Sequence, residues 1–192
     1  MNQETTIRTY TGKSINLLNF REKDVDINDI AHALSNICRF TGHVRDFYSV
    51  AQHSLLVSHL VGGSPRMRML GLLHDASEAY LGDVSSPLKH SGYMDDYILL
   101  EHHVEETIFG AMGIVFNSDD VSLIKHYDGR ALGLERNNYL PGSVHSYHMT
   151  EPLFPPLTPK LAETKFLREF RRLSDCLNAS SSTLRPTACS RT

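Results

Sequence analysis

The chain has 192 residues, a formal net charge of -3 at pH 7 and a pI near 6.4. This length allows one buried core without disulfides or structural zinc, and this charge excludes a broad basic surface for duplex nucleic acid, although a local basic pocket for small phosphates stays compatible with it. Three widely spaced cysteines favour free thiols in a reducing compartment. The polar N-terminus and the lack of a long apolar run indicate a cytoplasmic protein without a membrane partner.

The first half of the chain predicts an extended arm followed by three helices. β-Branched and aromatic residues around Thr11-Gly12-Lys13 predict a short hairpin or extended arm over residues 7–20. Apolar residues at helical spacing predict a first helix that begins at Asp26 or Asn28 and ends at Gly42. A second helix is expected over residues 47–61, where a Gly-Gly-Ser-Pro sequence ends it, and a third over residues 66–80.

The second half is also helical. A solvated amphipathic helix is expected over residues 93–112, with the adjacent His102 and His103 exposed. Ser118 or Asp119 is the expected cap of a long helix over residues 121–139. A proline-rich loop over residues 152–159 precedes a last helix over residues 160–177. We therefore predict an all-α fold with one domain over residues 1–178 and a disordered tail over residues 179–192.

A candidate metal site begins where the third helix ends. His74 and Asp75 follow an apolar run, which is a costly place for two polar groups unless something binds them. An imidazole nitrogen and a carboxylate oxygen suit a divalent Mn, Fe, Co, Ni or Zn ion. Glu78 lies one turn further on, and the next loop adds Asp83 and Lys89. The alternative is a capped helix end with solvated polar groups.

Two further ligands are expected from other helices. His53, flanked by small and apolar residues, is the third candidate ligand, and a satisfied core histidine is the alternative. Asp128 falls in the predicted buried stripe of its helix, where it requires either a metal or a salt bridge to Arg130 or Lys125. Two imidazoles and two carboxylates would leave positions of an octahedral ion open for water and substrate.

Such a site is suited to hydrolysis of phosphates. A bound ion lowers the pKa of a coordinated water and polarises a phosphoryl oxygen. Glu78 or Asp83 could hold or deprotonate that water. Arg39 offers a bidentate fork to phosphate, while Lys89 and Lys125 are compact cations for further phosphates.

These residues resemble a known family. The series His53, His74-Asp75 and Asp128 resembles the His…His-Asp…Asp signature of HD-domain phosphohydrolases. The sequences around His53, over residues 74–78 and over residues 82–89 resemble its 5'-deoxynucleotidase branch, and the similarity covers roughly residues 7–175. Residues 29–43 are similar to a phage and prophage subgroup that includes the dATP triphosphohydrolase of the 2-aminoadenine pathway.

The resemblance implies a fold, a cofactor and residue roles. The implied fold is an all-α HD-domain helical bundle that forms a dimer or hexamer and holds a divalent metal (Co, Mn or Zn), with a second ion as a further option. The implied metal ligands are His53, His74, Asp75 and Asp128. Glu78 and Asp83 would act in catalysis, Arg39 would contact phosphate, and Phe40 would lie beside the sugar or base.

The favoured expectation is metal-dependent hydrolysis of deoxynucleoside phosphates, with dATP converted to deoxyadenosine and triphosphate, in the host cytoplasm if the chain is phage-encoded. The alternatives are a 5'-deoxynucleotidase that acts on monophosphates, a non-catalytic helical interaction module and, ranked lower, a (p)ppGpp or cyclic-nucleotide phosphodiesterase. Apolar walls that select the base would come from Ile37, Phe40 and Pro87. His43 and His59 are extra histidines that could bind phosphate or a second ion, with surface positions as the alternative.

Overall fold

The N-terminal arm is a β-hairpin in the computed structural model, which describes residues 5–142 and 155–182. Strands β1 (Thr6–Arg8) and β2 (Ser14–Asn16) pair antiparallel, with Ile7 opposite Ile15. Two 3₁₀ turns, Leu17–Asn19 and Glu22–Asp24, connect the hairpin to the first helix. The predicted hairpin is therefore confirmed.

The rest of the described chain is helical, which confirms the all-α prediction. Its helices are α1 (Ile27–Asn36), α2 (Val50–Val61), α3 (Pro65–Leu73), α4 (Glu78–Leu81), α5 (Ser86–Lys89), α6 (Asp95–Ala111), α7 (Ser118–Tyr139) and α8 (Pro159–Ser182). The short α5 has no counterpart in the sequence prediction. None of the helices in residues 5–142 and 155–182 combines the length and apolar character needed to cross a membrane.

Helix α1 begins where predicted and ends early. The Asp26 side chain accepts a hydrogen bond from the Asn28 backbone N–H, which caps the helix. The expectation that this helix continues to Gly42 is wrong. Ile37 is already extended, and Phe40 and Thr41 adopt left-handed backbone angles, with φ of 56° and 54°. Because an α-helix cannot pass through positive φ, the chain leaves the helix before Arg39.

The predicted third helix is interrupted at the candidate metal site. It divides into α3 and α4, with a tight turn over residues 74–77 between them. There the backbone N–H groups bond three residues back: Ala76 to Leu73 at 2.9 Å and Glu78 to Asp75 at 3.1 Å. A tightened segment of this kind changes the directions of successive side chains, so His74, Asp75 and Glu78 do not follow α-helical spacing.

Two other boundaries differ from the prediction. Asn117, rather than Ser118 or Asp119, caps α7, and Asp120 completes a reciprocal capping box with it. Helix α8 continues to Ser182, past the predicted end of the last helix and into the predicted tail. The remainder of that tail, and the first part of the proline-rich loop, lie outside the described residues.

Helix α2 is central to the packing. It contacts α1, α3, α7 and α8, and nine of its twelve residues are buried. Gly71 lets α3 approach α2 closely, because a Cβ there would lie 3.1 Å from the Ser58 Cα. The main core contains fully buried side chains from α1, α2, α3, α6 and α8: Ile30, Leu34, Val50, Ala51, Leu72, Leu73, Val104, Ile108, Phe166 and Leu173.

Candidate metal centre

Two imidazoles from different helices meet at this site. His53 lies on α2 and is fully buried, and His74 follows the last residue of α3. Their Nε2 atoms are 3.2 Å apart. His74 Nδ1 lies 2.9 Å from the Gly71 carbonyl oxygen and donates to it, so Nε2 is the ring nitrogen that a metal could bind. A metal-binding histidine is commonly oriented by such a bond from its other ring nitrogen.

Two carboxylates complete the group. Asp75 Oδ1 lies 3.2 Å from His74 Nε2, and Asp75 Oδ2 lies 3.5 Å from His53 Nε2. Asp128 Oδ1 lies 3.0 Å from His53 Nε2 and 3.9 Å from His74 Nε2. Ligand atoms of His53, His74 and Asp75 all lie within 4.8 Å of one another, so these three residues could hold a metal ion. The donor set of imidazole nitrogen and carboxylate oxygen fits a divalent transition metal.

Asp128 is less buried than its helical position predicts. Its side chain is 41 % exposed, although Ile124 and Ala131 on the same face of α7 are buried. The expectation of a buried acid is therefore wrong at this position, because this part of α7 faces an open cavity. Burial opposes ionisation of the carboxyl, but the hydrogen bond with His53 and the nearby positive charges lower the pKa of Asp128 below its usual range.

A second layer of polar residues supports His53, and sequence reasoning did not identify its central member. Glu135 is fully buried, and its Oε1 lies 2.7 Å from His53 Nδ1 and 3.0 Å from the Tyr48 hydroxyl, which donates to it. Its Oε2 accepts a hydrogen bond from Arg39 Nε at 3.1 Å. The available signal was its position two helical turns after Asp128, on the same face of α7.

These neighbouring residues determine the protonation of the His53 imidazole. Burial and the neighbouring Arg39 disfavour the imidazolium, but Glu135 and the hydrogen bonds with Asp128 and Glu135 raise the pKa of His53 to about 9. Burial also opposes ionisation of Glu135, yet the charges of His53 and Arg39 lower its pKa. A metal that binds His53 Nε2 must therefore displace a proton, which makes metal affinity dependent on pH.

Arg39 lies at the edge of the centre. Its Nη1 is 3.6 Å from Asp75 Oδ2, while its Nε is bonded to Glu135. The left-handed backbone at Phe40 and Thr41 turns the chain immediately after Arg39, and the Phe40 ring packs 5.5 Å from the guanidinium carbon. The guanidinium is thus held next to a candidate metal ligand, which is where a phosphate-binding arginine is needed.

Glu78 and Asp83 form an acidic pair near the centre. Glu78 is 5 % exposed, its Oε2 is buried without a hydrogen-bond partner among the described residues, and its Oε1 lies 3.7 Å from Lys89 Nζ. Burial, followed by the charges of Asp75 and Asp83, raises the pKa of Glu78 far above its usual range. Burial also raises the pKa of Asp83, although Arg39 opposes this shift. Burial and these neighbouring charges therefore favour the protonated form of Glu78.

An open cavity of about 400 Å³ adjoins the candidate ligands His74, Asp75 and Asp128. Lys89 and Lys125, for which substrate contacts remain a prediction, also line it, and Lys89 is bonded to Glu101 at 2.6 Å. Its apolar wall comes from α3, α6, α7 and the loop before α7: Leu70, Phe109, Phe116, Val121 and Ile124. The residues expected to form the base pocket lie outside this lining: Ile37, Phe40 and Pro87.

The additional histidines occupy different positions. His43 and His59 are exposed, as are His102 and His103. His102 contributes to the rim of the metal-centre cavity, whereas His59 lines a second, smaller cavity. None of these four belongs to the group of residues that could hold a metal.

Two known proteins are similar in sequence to this chain. The chain is 35 % identical over 178 residues to the uncharacterized protein YfdR of Escherichia coli, which covers 88 % of this chain and 96 % of YfdR. It is 39 % identical over 109 residues to an uncharacterized protein of Rhodobacter capsulatus, covering 50 % of this chain and 56 % of that protein. No family model matches the chain.

Proposed function

The chain belongs to the same family as YfdR of Escherichia coli, and we propose that it is a metal-dependent hydrolase of deoxynucleoside phosphates. The observation that supports this proposal is the meeting of two imidazoles and two carboxylates beside an open cavity. His53, His74, Asp75 and Asp128 come from α2, the turn after α3, and α7. The resemblance to HD-domain phosphohydrolases rests on the same four residues.

The four side chains would hold one divalent ion of Co, Mn or Zn. When bound, such an ion supplies Lewis acidity, which activates a water and polarises a phosphoryl oxygen. Asp128 is partly exposed and lines the cavity, so the group is accessible to a phosphate from that side. Glu135 orients His53 from behind, as supporting carboxylates commonly do at metal sites.

The remaining polar residues provide charge and protons. Arg39, whose Nη1 lies 3.6 Å from Asp75 Oδ2, is placed to neutralise charge on a phosphoryl group bound beside the metal group. The raised pKa of Glu78 favours its protonated form, which suits it to protonate the leaving oxygen of the nucleoside. Asp83, whose pKa is also raised by burial, is the candidate to accept the proton of the attacking water.

The cavity accommodates the organic part of the substrate. Its apolar wall includes Phe109 and Phe116, whose ring centroids are 4.9 Å apart. A flat nucleobase can pack against such aromatic and aliphatic side chains. We therefore assign base contacts to α6, α7 and the loop between them.

The favoured reaction is conversion of dATP to deoxyadenosine and triphosphate, on the basis of the family resemblance. One observation favours the alternative, release of phosphate from a deoxynucleoside monophosphate. Beyond the metal group the cavity lining contains more acids than lysines: Glu101, Glu105, Glu106 and Asp120 against Lys89 and Lys125. A monophosphate brings less negative charge into this lining than a triphosphate does.

Product analysis tests the proposal and separates the two reactions. The purified chain is incubated with dAMP, dATP and dGTP in the presence of Mn or Co, and nucleosides, phosphate and triphosphate are resolved. We expect deoxynucleoside to form with one of the substrates, and triphosphate to appear with dATP if the favoured reaction holds. His74→Ala should abolish turnover, while His43→Ala, at an exposed position, should retain it.

The alternative function is that of a non-catalytic helical interaction module. Elemental analysis of the purified protein would then find no tightly bound transition metal. Neither dAMP nor dATP would be hydrolysed, and His74→Ala would change nothing measurable. That combination would overturn the proposed function.

A further inference from the structure

A second cavity, of about 150 Å³, is lined by basic side chains from three helices. We call it the basic cleft. It is lined by His59 of α2, Arg68 of α3, and Lys165 and Arg168 of α8, together with the carboxylate of Glu169. No residue that we assign to the metal centre or to catalysis lines it.

The basic cleft has an excess of positive charge. Arg68, Lys165 and Arg168 contribute three cationic side chains to its lining, against the single carboxylate of Glu169. Glu169 is also bonded to Arg172 on α8, at 2.8 and 2.9 Å. The hydrogen bond from Arg172 is the largest cause of a lowered pKa of Glu169, so much of its charge is offset outside the lining.

Arg68 provides an unused donor. Its Nη2 bonds Glu169 at 2.8 Å, but its Nε is buried and has no hydrogen-bond partner among the residues that the structure describes. Buried donors in proteins are nearly always paired, so the Nε–H of Arg68 is a donor that an oxyanion in the cleft could accept. The Ser58 hydroxyl bonds the Arg68 carbonyl at 2.8 Å and holds its backbone against α2.

The wall of the basic cleft is rigidly held. The buried Gln52 side chain donates to the Pro155 carbonyl at 2.8 Å and accepts from the Leu157 N–H at 2.9 Å. Gln52 and Leu157 both line the cleft, and Gln52 directly precedes the candidate ligand His53. These two hydrogen bonds therefore hold the wall of the cleft in place at Gln52, while the basic residues His59 and Arg168 are exposed.

We propose that the basic cleft binds a phosphate-type oxyanion at a site separate from the metal centre. A cavity of about 150 Å³ is smaller than ordinary pockets for whole organic ligands, so it suits a single phosphate group. The ligand is either inorganic phosphate or the phosphate end of a nucleotide whose remaining part stays outside. This site does not depend on the proposed reaction, because none of its residues takes part in that reaction.

Calorimetric titration of the full chain with inorganic phosphate tests the proposal. We expect saturable binding with a Kd of about 1 mM or tighter. Arg168→Glu reverses an exposed charge in the cleft and should weaken this binding at least about tenfold. Arg171→Glu makes the same change on α8 at an exposed residue outside the lining and should leave Kd within about twofold.

Two further measurements distinguish phosphate binding in the cleft from binding at the metal centre and identify the source of the phosphate. His74→Ala should retain the phosphate binding that Arg168→Glu weakens, and Lys165→Gln should weaken it too. Displacement of phosphate by dAMP would show that the cleft accepts a nucleotide's phosphate, and failure of dAMP to compete would show that it takes inorganic phosphate. The proposal is overturned if phosphate does not saturate, or if Arg168→Glu and Arg171→Glu bind it equally.

Discussion

Replacing Glu135 by Gln is the most direct test of how the candidate centre is supported. The substitution keeps the side-chain volume and removes one fully buried negative charge. The carboxylate contacts His53, Tyr48 and Arg39 at 2.7, 3.0 and 3.1 Å. A glutamine offers only one acceptor oxygen, so at least one of these groups would face an amide N–H.

The expected loss is large because the partners are buried too. Removing one member of a buried ion pair costs about 3–5 kcal/mol, so we expect Glu135→Gln to lower the free energy of unfolding by about this amount. Loss of the group that orients a metal-binding histidine typically weakens metal affinity about 10- to 100-fold. Urea unfolding followed by circular dichroism, and metal titration against a chelator, measure the two effects.

Glu22→Gln is the matched control, because Glu22 is exposed and outside the centre. It should change the free energy of unfolding by no more than about 0.5 kcal/mol and leave metal affinity unchanged. If Glu135→Gln matched this control in both measurements, the supporting role of Glu135 would be refuted.

Three further predictions concern protonation and packing. Because burial raises the pKa of Glu78 above its unfolded value, its contribution to stability is complete below pH about 4.5 and is lost as the pH rises; Glu78→Gln should therefore raise the urea midpoint at pH 8 by more than at pH 5. The pKa of His53 is raised to about 9, so before metal binds its contribution to stability is complete below pH about 6.5 and is lost as the pH rises through 9. Because a metal must displace this proton, chelator competition should show metal affinity increasing from pH 6 to pH 9. Gly71→Ala should cost about 1–3 kcal/mol, because its Cβ would lie 3.1 Å from the Ser58 Cα; Gly129→Ala, in the middle of α7 with open space around it, should stabilise by about 0.5–1 kcal/mol in the same unfolding assay. Equal midpoint changes at both pH values, a flat affinity profile, or equal effects of the two glycine substitutions would contradict these predictions in turn.

Local sequence patterns predicted the helices well and their ends less well. Hydrophobic periodicity reports which face of a segment is buried, so α2, α6, α7 and α8 were expected close to their observed positions. The early end of α1 follows from the extended backbone of Ile37, and Phe40 and Thr41 then adopt positive φ; no residue type at these positions predicts either conformation. The break between α3 and α4 was likewise not predicted, because the apolar pattern of residues 66–80 continues through it.

The sequence by itself pointed to His53, His74 and Asp75, which form a group that could hold a metal, and to Asp128 as a fourth candidate, because these are polar residues set against apolar helical patterns. Only the tertiary structure decided what surrounds them. Glu135 contacts His53 across 82 positions of the chain, and a distance of that kind carries no local signal. The apolar cavity wall is composed of side chains from α3, α6, α7 and the loop before α7, rather than Ile37, Phe40 and Pro87, because helix packing decides which apolar surfaces face the same space.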